Sequence, residues 1–462
     1  MSLMVSISGI RGVVGESLTP ETVVRYAAAF GEYCRRRAGG RPTVVLGRDG
    51  RATGKAVANV AASTLVSAGV DVRALGVVPT PTVALAVEQT GAAGGLIVTA
   101  SHNPMQWNGM KFLAPTGMFL DAEENAAFWQ IAGEGSARYV PWAEQGVHTA
   151  DDSWNRRHVE ALLALPYLDV ERVRRRKFRV VADCINAAGG AIVPALLRAL
   201  GCDVVEMNCE QSGVFTRNPE PVPENLGAAA ARVREEKADL GIVVDPDVDR
   251  LVLITERGEP YSEEYTVASA VRFVLGRERE LHPGRRHTVV VNLSTTRAVE
   301  DIARAYGAET LRTPVGEINV ARRMKEAGAV IGGEGSGGVI LPALHLGRDA
   351  IAGLGLLLQL LAESGETLAG LKAGLPQYAI AKGKIDLGKA APDPVMARVR
   401  AAAGGAGAVN TDDGLKIDFP DHWVHLRKSN TEPIIRVIAE ARDAERAAAV
   451  VAEYRAMIER ML

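Results

Sequence analysis

The chain is short of several things, and each shortage excludes something. Aromatic residues make up 5% of its 462 positions, and there are four cysteines, Cys34, Cys184, Cys202 and Cys209, none in CxxC spacing. So few thiols in so long a chain point to reduced core cysteines and a cytosolic, cytoplasmic setting. An excess of one charge is missing too: Lys plus Arg is 53 and Asp plus Glu is 55, for a net charge of −2. That balance argues against a nucleic-acid partner held by surplus basic charge. Long apolar runs are absent. The longest, Ala350 to Ala362 (AIAGLGLLLQLLA), contains Gln359 and is too short for a membrane span, so it reads as a buried helix and no membrane partner is expected. The first residues, MSLMVSISGIRG, have neither the basic nor the apolar region of a secretory signal.

What is present is aliphatic and rich in turns. Apolar residues at 47% and charged residues at 23% exclude wholesale disorder, and Gly (48) and Pro (22) supply the punctuation of many short elements. At about 150 residues per domain the length predicts three or four domains. One pattern recurs three times. Strand Thr43–Leu46, a helix from Lys55, strand Asp71–Leu75, a helix after Pro81 and strand Gly95–Thr99 form the first block. Strand Phe178–Cys184, helix Ala188–Leu200, strand Asp203–Met207, helix Pro223–Lys237 and strand Leu240–Val244 form the second. Strand Thr288–Leu293, a helix from Thr296, strand Glu309–Leu311, a helix from Glu317 and strand Ala329–Ile331 form the third. Apolar runs of this length, bounded by Gly or Pro, suit parallel strands covered on both faces.

The end of the chain differs: helix Pro392–Ala402, strands Trp423–Leu426 and Ile434–Ala439, then helix Ala444–Leu462. Strands in a run followed by a helix predict a smaller α+β domain. The fold expected is therefore α/β, with three similar mixed or parallel α/β/α domains and a smaller C-terminal α+β domain around one cleft. Its domains are 1–150, 151–260, 261–375 and 376–462, and the Gly/Pro-containing stretch 373–388 reads as a hinge.

The unusual residues follow the third strand of each block, where open α/β sheets bind ligands. In the second block, Val244 to Arg250 reads VDPDVDR. Asp245, Asp247 and Asp249 alternate, so their carboxylates can converge on one hard cation such as Mg²⁺, against the alternative of a solvated acidic turn. In the first block, Thr99 to Pro104 (TASHNP) sets Ser101 at the mouth of the sheet. No G-x-S-x-G elbow surrounds it, and His102, as a strand neighbour, should point away from it. A helix cap or a Pro-directed turn explains these residues equally well. In the third, Gly332 to Gly338 (GGEGSGG) spaces Glu334 and Ser336 two apart, suited to sugar hydroxyls or to a flexible hairpin. Near the end, Arg427 to Pro433 (RKSNTEP) combines a guanidinium fork with small polar residues, as an anion-binding turn would. Arg48, Asp49 and Arg51 (GRDGR) read as ion-paired loop residues, and the run Arg172 to Lys177 as a solvated helix face.

Taken together, in this order and over essentially the whole chain, these four loops resemble the α-D-phosphohexomutase superfamily of phosphoglucosamine mutases and phosphoglucomutase/phosphomannomutases. The resemblance implies that Ser101 carries a transferable phosphoryl group and also faces the metal. It implies that Asp245, Asp247 and Asp249 hold Mg²⁺, with Arg250 near the phosphoserine. Glu334 and Ser336 would meet sugar hydroxyls, and Arg427, Ser429, Asn430 and Thr431 the non-reacting phosphate. Lys111 in WNGMK matches a general acid/base and Arg11 the arginine of the N-terminal loop, with His102 beside the phosphoserine among the catalytic residues.

The implied activity interconverts hexose or hexosamine 6-phosphate and 1-phosphate, with a sugar 1,6-bisphosphate as intermediate and activator. The partner is a small-molecule sugar phosphate, and the chain acts as a monomer or homodimer. Some features depart from the family pattern. Gly338 stands where the phosphoglucomutase/phosphomannomutase branch has a histidine, which leaves His345 to be weighed as acid/base or as structural. The sugar loop fits neither the GEMSG nor the GEQSG form, and GIRG leans modestly toward glucosamine phosphate. Two other classes share the residues: a Mg²⁺-dependent sugar phosphatase, which would transfer to water, and a sugar-phosphate binding protein without turnover.

Overall fold

The computed structural model describes residues 2–388, 390–402, 405, 407–428 and 434–462. The chain divides into two compact units, Met1–Thr266 with Gly337–Leu371, and Val267–Ser336 with Lys372–Leu462.

The first unit holds two sheets. The larger runs Met4–Ser6, Gly9–Val13, Trp107–Leu113, Gly94–Val98, Thr43–Arg48, Asp71–Val77, His148–Ala150, and the smaller runs Leu251–Thr255, Leu240–Val244, Arg179–Asp183, Asp203–Met207. Each contains the same four-strand motif. Three strands of a β-α-β-α-β block lie parallel, and a fourth returns antiparallel beside the third: Gly94–Val98 with Trp107–Leu113, and Leu240–Val244 with Leu251–Thr255. The blocks are thus mixed rather than purely parallel. The TASHNP and DPDVDR segments are the turns joining third to fourth strand, which gives them equivalent places in their sheets.

Arg11 differs from the loop position its sequence suggested. Arg11 lies within the strand Gly9–Val13 and pairs in register with Gly109 of Trp107–Leu113, the strand that also carries Lys111. Glycine is required at 109, because a β-carbon there would sit 2.2 Å from the Ile10 carbonyl oxygen. The scarce aromatics concentrate under this sheet. Phe30 of helix Pro20–Arg37, Phe112 and Phe128 of helix Ala122–Glu134 pack with centroids 4.5–5.8 Å apart, a geometry that adds to the gain from buried area. Helix Ala350–Ser364, the apolar run of the sequence, is buried from Ala350 to Ala362. No helix among the described residues is long and apolar enough to cross a membrane. All four cysteines are free.

The second unit holds the parallel strands Glu309–Thr313, Thr288–Asn292 and Ile331–Glu334, and a five-stranded antiparallel sheet, Ala379–Asp386, Ile434–Ala441, Trp423–Lys428, Leu415–Asp418, Ala408–Asn410. Two local readings shift. The third strand begins at Ile331 rather than Ala329, so Glu334 ends a strand instead of opening a loop. In the first unit the helix read from Pro223 is a 3₁₀ turn, Pro223–Asn225, followed by helix Gly227–Glu235. Half of the stretch 373–388 is the strand Ala379–Asp386, paired with Ile434–Ala441 along its whole length.

This sheet buries a histidine. His425 sits between Ser294 Oγ, 2.9 Å from Nδ1, and the Asp413 carbonyl, 2.7 Å from Nε2. Burial holds its pKa down at about 4, against an ordinary value of 6.5. A base depressed in the fold binds its proton only in the unfolded chain across that window, so stability is full above about 6.5 and falls as pH drops toward 4. Urea midpoints measured over this range should decline on the acid side, by on the order of 3 kcal/mol for this group. The H425Q protein should lose part of that slope.

Candidate active site

The loop Thr99–Pro104 is shaped by one buried arginine. Arg51 pairs with Asp49 at 3.1 Å and donates to the carbonyls of Ser101, Asn103, Pro104 and Trp107 at 2.6–2.9 Å. Asp49 in turn accepts from Thr99 Oγ1 at 2.7 Å, and Thr99 Oγ1 accepts the Ser101 amide at 2.8 Å. GRDGR is therefore an internal scaffold, with Arg51 1% exposed. Held this way, Ser101 adopts a left-handed backbone, φ 49°, which costs a non-glycine residue strain and is found where function over-determines the structure. That turn, rather than an extended strand, brings His102 Nδ1 to 3.3 Å from Ser101 Oγ, against the expectation that the two side chains point apart. Burial, then Arg250 and Arg11, hold the His102 pKa at about 3, so the ring is neutral at pH 7.

Facing Ser101 is the aspartate loop. Ser101 Oγ lies 3.3 Å from Asp245 Oδ2, and oxygens of Asp245, Asp247 and Asp249 lie within 4.8 Å of one another, all fully buried. Val248, at the turn, is β-branched yet takes φ 61°. Lys111 Nζ reaches Asp247 Oδ2 at 2.6 Å and Asp249 Oδ2 at 3.5 Å, Arg348 Nη2 reaches Asp249 Oδ2 at 2.6 Å, and Thr80 Oγ1 reaches Asp247 Oδ2 at 2.7 Å. The Arg250 amide donates to Asp245 Oδ1, and its side chain lies 3.8 Å from Asp249. Arg11 donates to Asn103 Oδ1 at 2.9 Å, and burial holds its pKa down despite the field of Asp247 and Asp249.

The charges divide by environment. Burial, with Asp249 and Asp247 beside it, pushes Asp245 up. Burial also acts upward on Asp247 and Asp249, but Lys111 overcomes it at Asp247, and Arg348 with Lys111 at Asp249, so both remain ionised. Burial acts downward on Lys111, and the two carboxylates reverse it, keeping the side chain an ammonium. Two buried carboxylate oxygens, Asp247 Oδ1 and Asp249 Oδ1, have no hydrogen-bond partner among the described residues. Three converging hard oxygen donors, two of them with unsatisfied atoms, fit a divalent cation.

The other expected residues are in the second unit or in the far part of the first. Glu334 Oε1 accepts from Asn292 Nδ2 and from the Gly316 amide, both at 2.9 Å, and Gly335 donates to Thr295 Oγ1. Ser336 is half-buried in the following turn. Arg427 Nε pairs with Asp413 at 2.8 Å. Ser429, Asn430 and Thr431 lie outside the described residues. His345, in the first unit, is buried against Asp349 at 3.2 Å, which supports its structural reading. Gly338 has a physical reason: a β-carbon there would lie 2.3 Å from Arg348 Cδ, so the stem of Arg348 fills the space a side chain would need. Arg348 and Thr80 were not singled out from sequence. The only signal for Arg348 is its place just before a helix, in LGRDA.

Comparison with known proteins decides the family. Residues 4–138, 156–258 and 263–378 match the phosphoglucomutase/phosphomannomutase alpha/beta/alpha domains I, II and III, and residues 386–457 match the C-terminal domain. The chain belongs to the phosphoglucomutase/phosphomannomutase family. It is thus a phosphohexomutase, an isomerase that moves a phosphoryl group within its substrate. A relative from Thermococcus kodakarensis named "Phosphoglucomutase/phosphomannomutase" is 38% identical over 95% of this chain and 94% of its own. Another, from Methanopyrus kandleri, named "Probable phosphoglucosamine mutase", is 37% identical with the same coverage. Among solved structures, a phosphoglucomutase/phosphomannomutase family protein from Burkholderia thailandensis matches with a TM-score of 0.84 and 28% identity, over 98% of this chain and 97% of that one.

Proposed function

We propose that this phosphohexomutase interconverts hexosamine or hexose 6-phosphates and 1-phosphates through a phosphorylated Ser101 and a sugar 1,6-bisphosphate, with glucosamine phosphate the preferred substrate by a modest margin. The observation that carries the reading is the approach of Ser101 Oγ to the aspartate loop, 3.3 Å from Asp245, inside a ring of cationic side chains. In the forward half-reaction a hydroxyl oxygen of the sugar monophosphate attacks the phosphorus on Ser101. The bond from phosphorus to Oγ breaks, the hydroxyl loses its proton, and Oγ gains one. In the second half Ser101 Oγ loses its proton and attacks the other phosphate of the bisphosphate, the bond from that phosphorus to the sugar oxygen breaks, and the sugar oxygen takes a proton, releasing the isomeric monophosphate.

Asp245, Asp247 and Asp249, with Ser101 beside them, would hold Mg²⁺, which supplies charge neutralisation on the transferring oxygens. Lys111 as an ammonium is suited to give the proton that Oγ needs, and Arg11 and Arg250 to offset phosphoryl charge. His102 is a neutral hydrogen-bond partner to Oγ. Glu334 and Ser336 are proposed to meet sugar hydroxyls, and Arg427, Ser429, Asn430 and Thr431 the non-reacting phosphate.

The margin toward glucosamine phosphate rests on the GIRG loop and on relatives named phosphoglucosamine mutase. It is tested by kcat/KM measured side by side on glucosamine, glucose and mannose phosphates with Mg²⁺ and the matching bisphosphate. The expected order puts glucosamine first. A tenfold advantage for either neutral sugar would reverse the assignment, and release of inorganic phosphate in place of isomer would replace mutase by phosphatase.

A further inference from the structure

The aspartate loop is gripped from two sides by elements outside it, and one buried imidazole joins those two sides. On one side stands the start of helix Thr80–Thr90. The Thr80 amide donates to the Asp247 carbonyl at 2.9 Å, and Thr80 Oγ1 to the Asp247 carboxylate at 2.7 Å. On the other side stands the start of helix Ala350–Ser364. Arg348 donates to the Asp249 carboxylate at 2.6 Å, and the Ala350 amide to the carbonyl of strained Val248 at 3.2 Å. Between Arg348 and Ala350 lies Asp349, whose Oδ1 caps that helix through the Ile351 amide at 2.8 Å.

His158, on helix Trp154–Leu163, spans the gap. Its Nδ1 lies 2.9 Å from Thr82 Oγ1, two residues beyond Thr80 across the φ-fixing Pro81, and its Nε2 lies 2.9 Å from Asp349 Oδ2. Nε2 faces a carboxylate and so donates to it, and Nδ1 meets the threonine hydroxyl, which can serve as either partner of that bond. The contacts close a circuit from Asp247 through Thr80, Thr82, His158, Asp349 and Arg348 to Asp249, and every member is in the first unit.

His158, His345 and Asp349 also stand close enough together to be taken for metal ligands. Both imidazoles, however, already meet the same carboxylate oxygen at hydrogen-bond distance, at 2.9 and 3.2 Å, and the other oxygen caps a helix. Both Asp349 oxygens are thereby engaged, and the cluster reads as a hydrogen-bonded node.

We propose that His158 is a positioning residue for the metal loop: by tying Thr82 to Asp349 it fixes the spacing of Asp247 and Asp249, and so sets the affinity for the divalent cation. This rests on the reading of Asp245, Asp247 and Asp249 as metal ligands. Partners behind a ligand shell govern affinity because they fix ligand orientation before the ion arrives, and their loss costs about 10- to 100-fold.

The test is Mn²⁺ titration of the full-length protein, with free Mn²⁺ followed by electron paramagnetic resonance, for wild type, T82V, H158Q and the double variant. T82V is close to isosteric and cuts the circuit at one bond, so it carries the test if H158Q does not fold. Each single variant should bind Mn²⁺ about 10-fold more weakly. The double variant should be no weaker than H158Q, since both changes break one link. A merely structural histidine would instead lower the metal-free melting temperature and leave the Mn²⁺ affinity of the folded protein unchanged. Wild-type affinity within twofold in both T82V and H158Q overturns the proposal. Failure of wild type itself to bind Mn²⁺ overturns the metal reading, and the proposal with it.

Discussion

The S101A protein is expected to lose at least ~10³-fold in kcat/KM while its stability changes by less than about 1 kcal/mol. The large term is chemical. Without Oγ no phosphoryl group can be stored on the enzyme, and the remaining positioning and electrostatics act on a substrate that meets no phosphoryl donor. The small term is structural. Among the described residues Oγ makes two hydrogen bonds, both 3.3 Å, to His102 and Asp245, and the loop is held by Ser101's backbone rather than by its hydroxyl. Intact-protein mass spectrometry after incubation with sugar bisphosphate gives the companion result, a phosphorylated fraction in wild type and none in S101A. Undiminished turnover in S101A would remove Ser101 from the mechanism.

The largest stability effect is expected at Arg51. Its guanidinium satisfies Asp49 and four loop carbonyls in a site with almost no solvent. R51M leaves a buried carboxylate without its charge partner and takes a donor from four loop carbonyls, a loss on the order of 3–5 kcal/mol. Chemical denaturation should show it as a lower midpoint with an unchanged slope. Burial already pushes Asp49 above its ordinary pKa, and Arg51 is the main force against that. The double variant D49N/R51M removes the stranded charge and should recover part of the loss. No recovery would mean that the carbonyl contacts, rather than the ion pair, dominate. Activity should fall as well, because the same guanidinium shapes the turn that presents Ser101.

The legible part of the site was its chemistry-bearing loops. Asp245, Asp247 and Asp249 alternate between two aliphatic strands, and Ser101 follows a buried one, so local sequence was enough to place them at strand ends. The partners were not legible. Arg348 lies 99 residues from Asp249, and Thr80 lies 167 residues from Asp247. Nothing in LGRDA or VVPTPT encodes those meetings, which depend on how separate α/β blocks pack. Arg51 was visible as a charged loop residue, but its burial was not, since four of its acceptors are main-chain carbonyls with no side-chain signature.

The repeated β-α-β-α-β blocks, the distinct C-terminal domain and the membership in a phosphohexomutase family were all readable from the amino-acid order. These follow from short-range periodicity and from loop motifs whose residues are contiguous. Tertiary structure decided the return strand that makes each first-unit sheet mixed, the left-handed turn that brings His102 to Ser101, and the positive residues set around the aspartates. It also decided why position 338 is glycine, with the stem of Arg348 lying against it. Backbone pattern is a local property, whereas the charge balance of a buried site is a sum over distant side chains, and only the packed fold performs that sum.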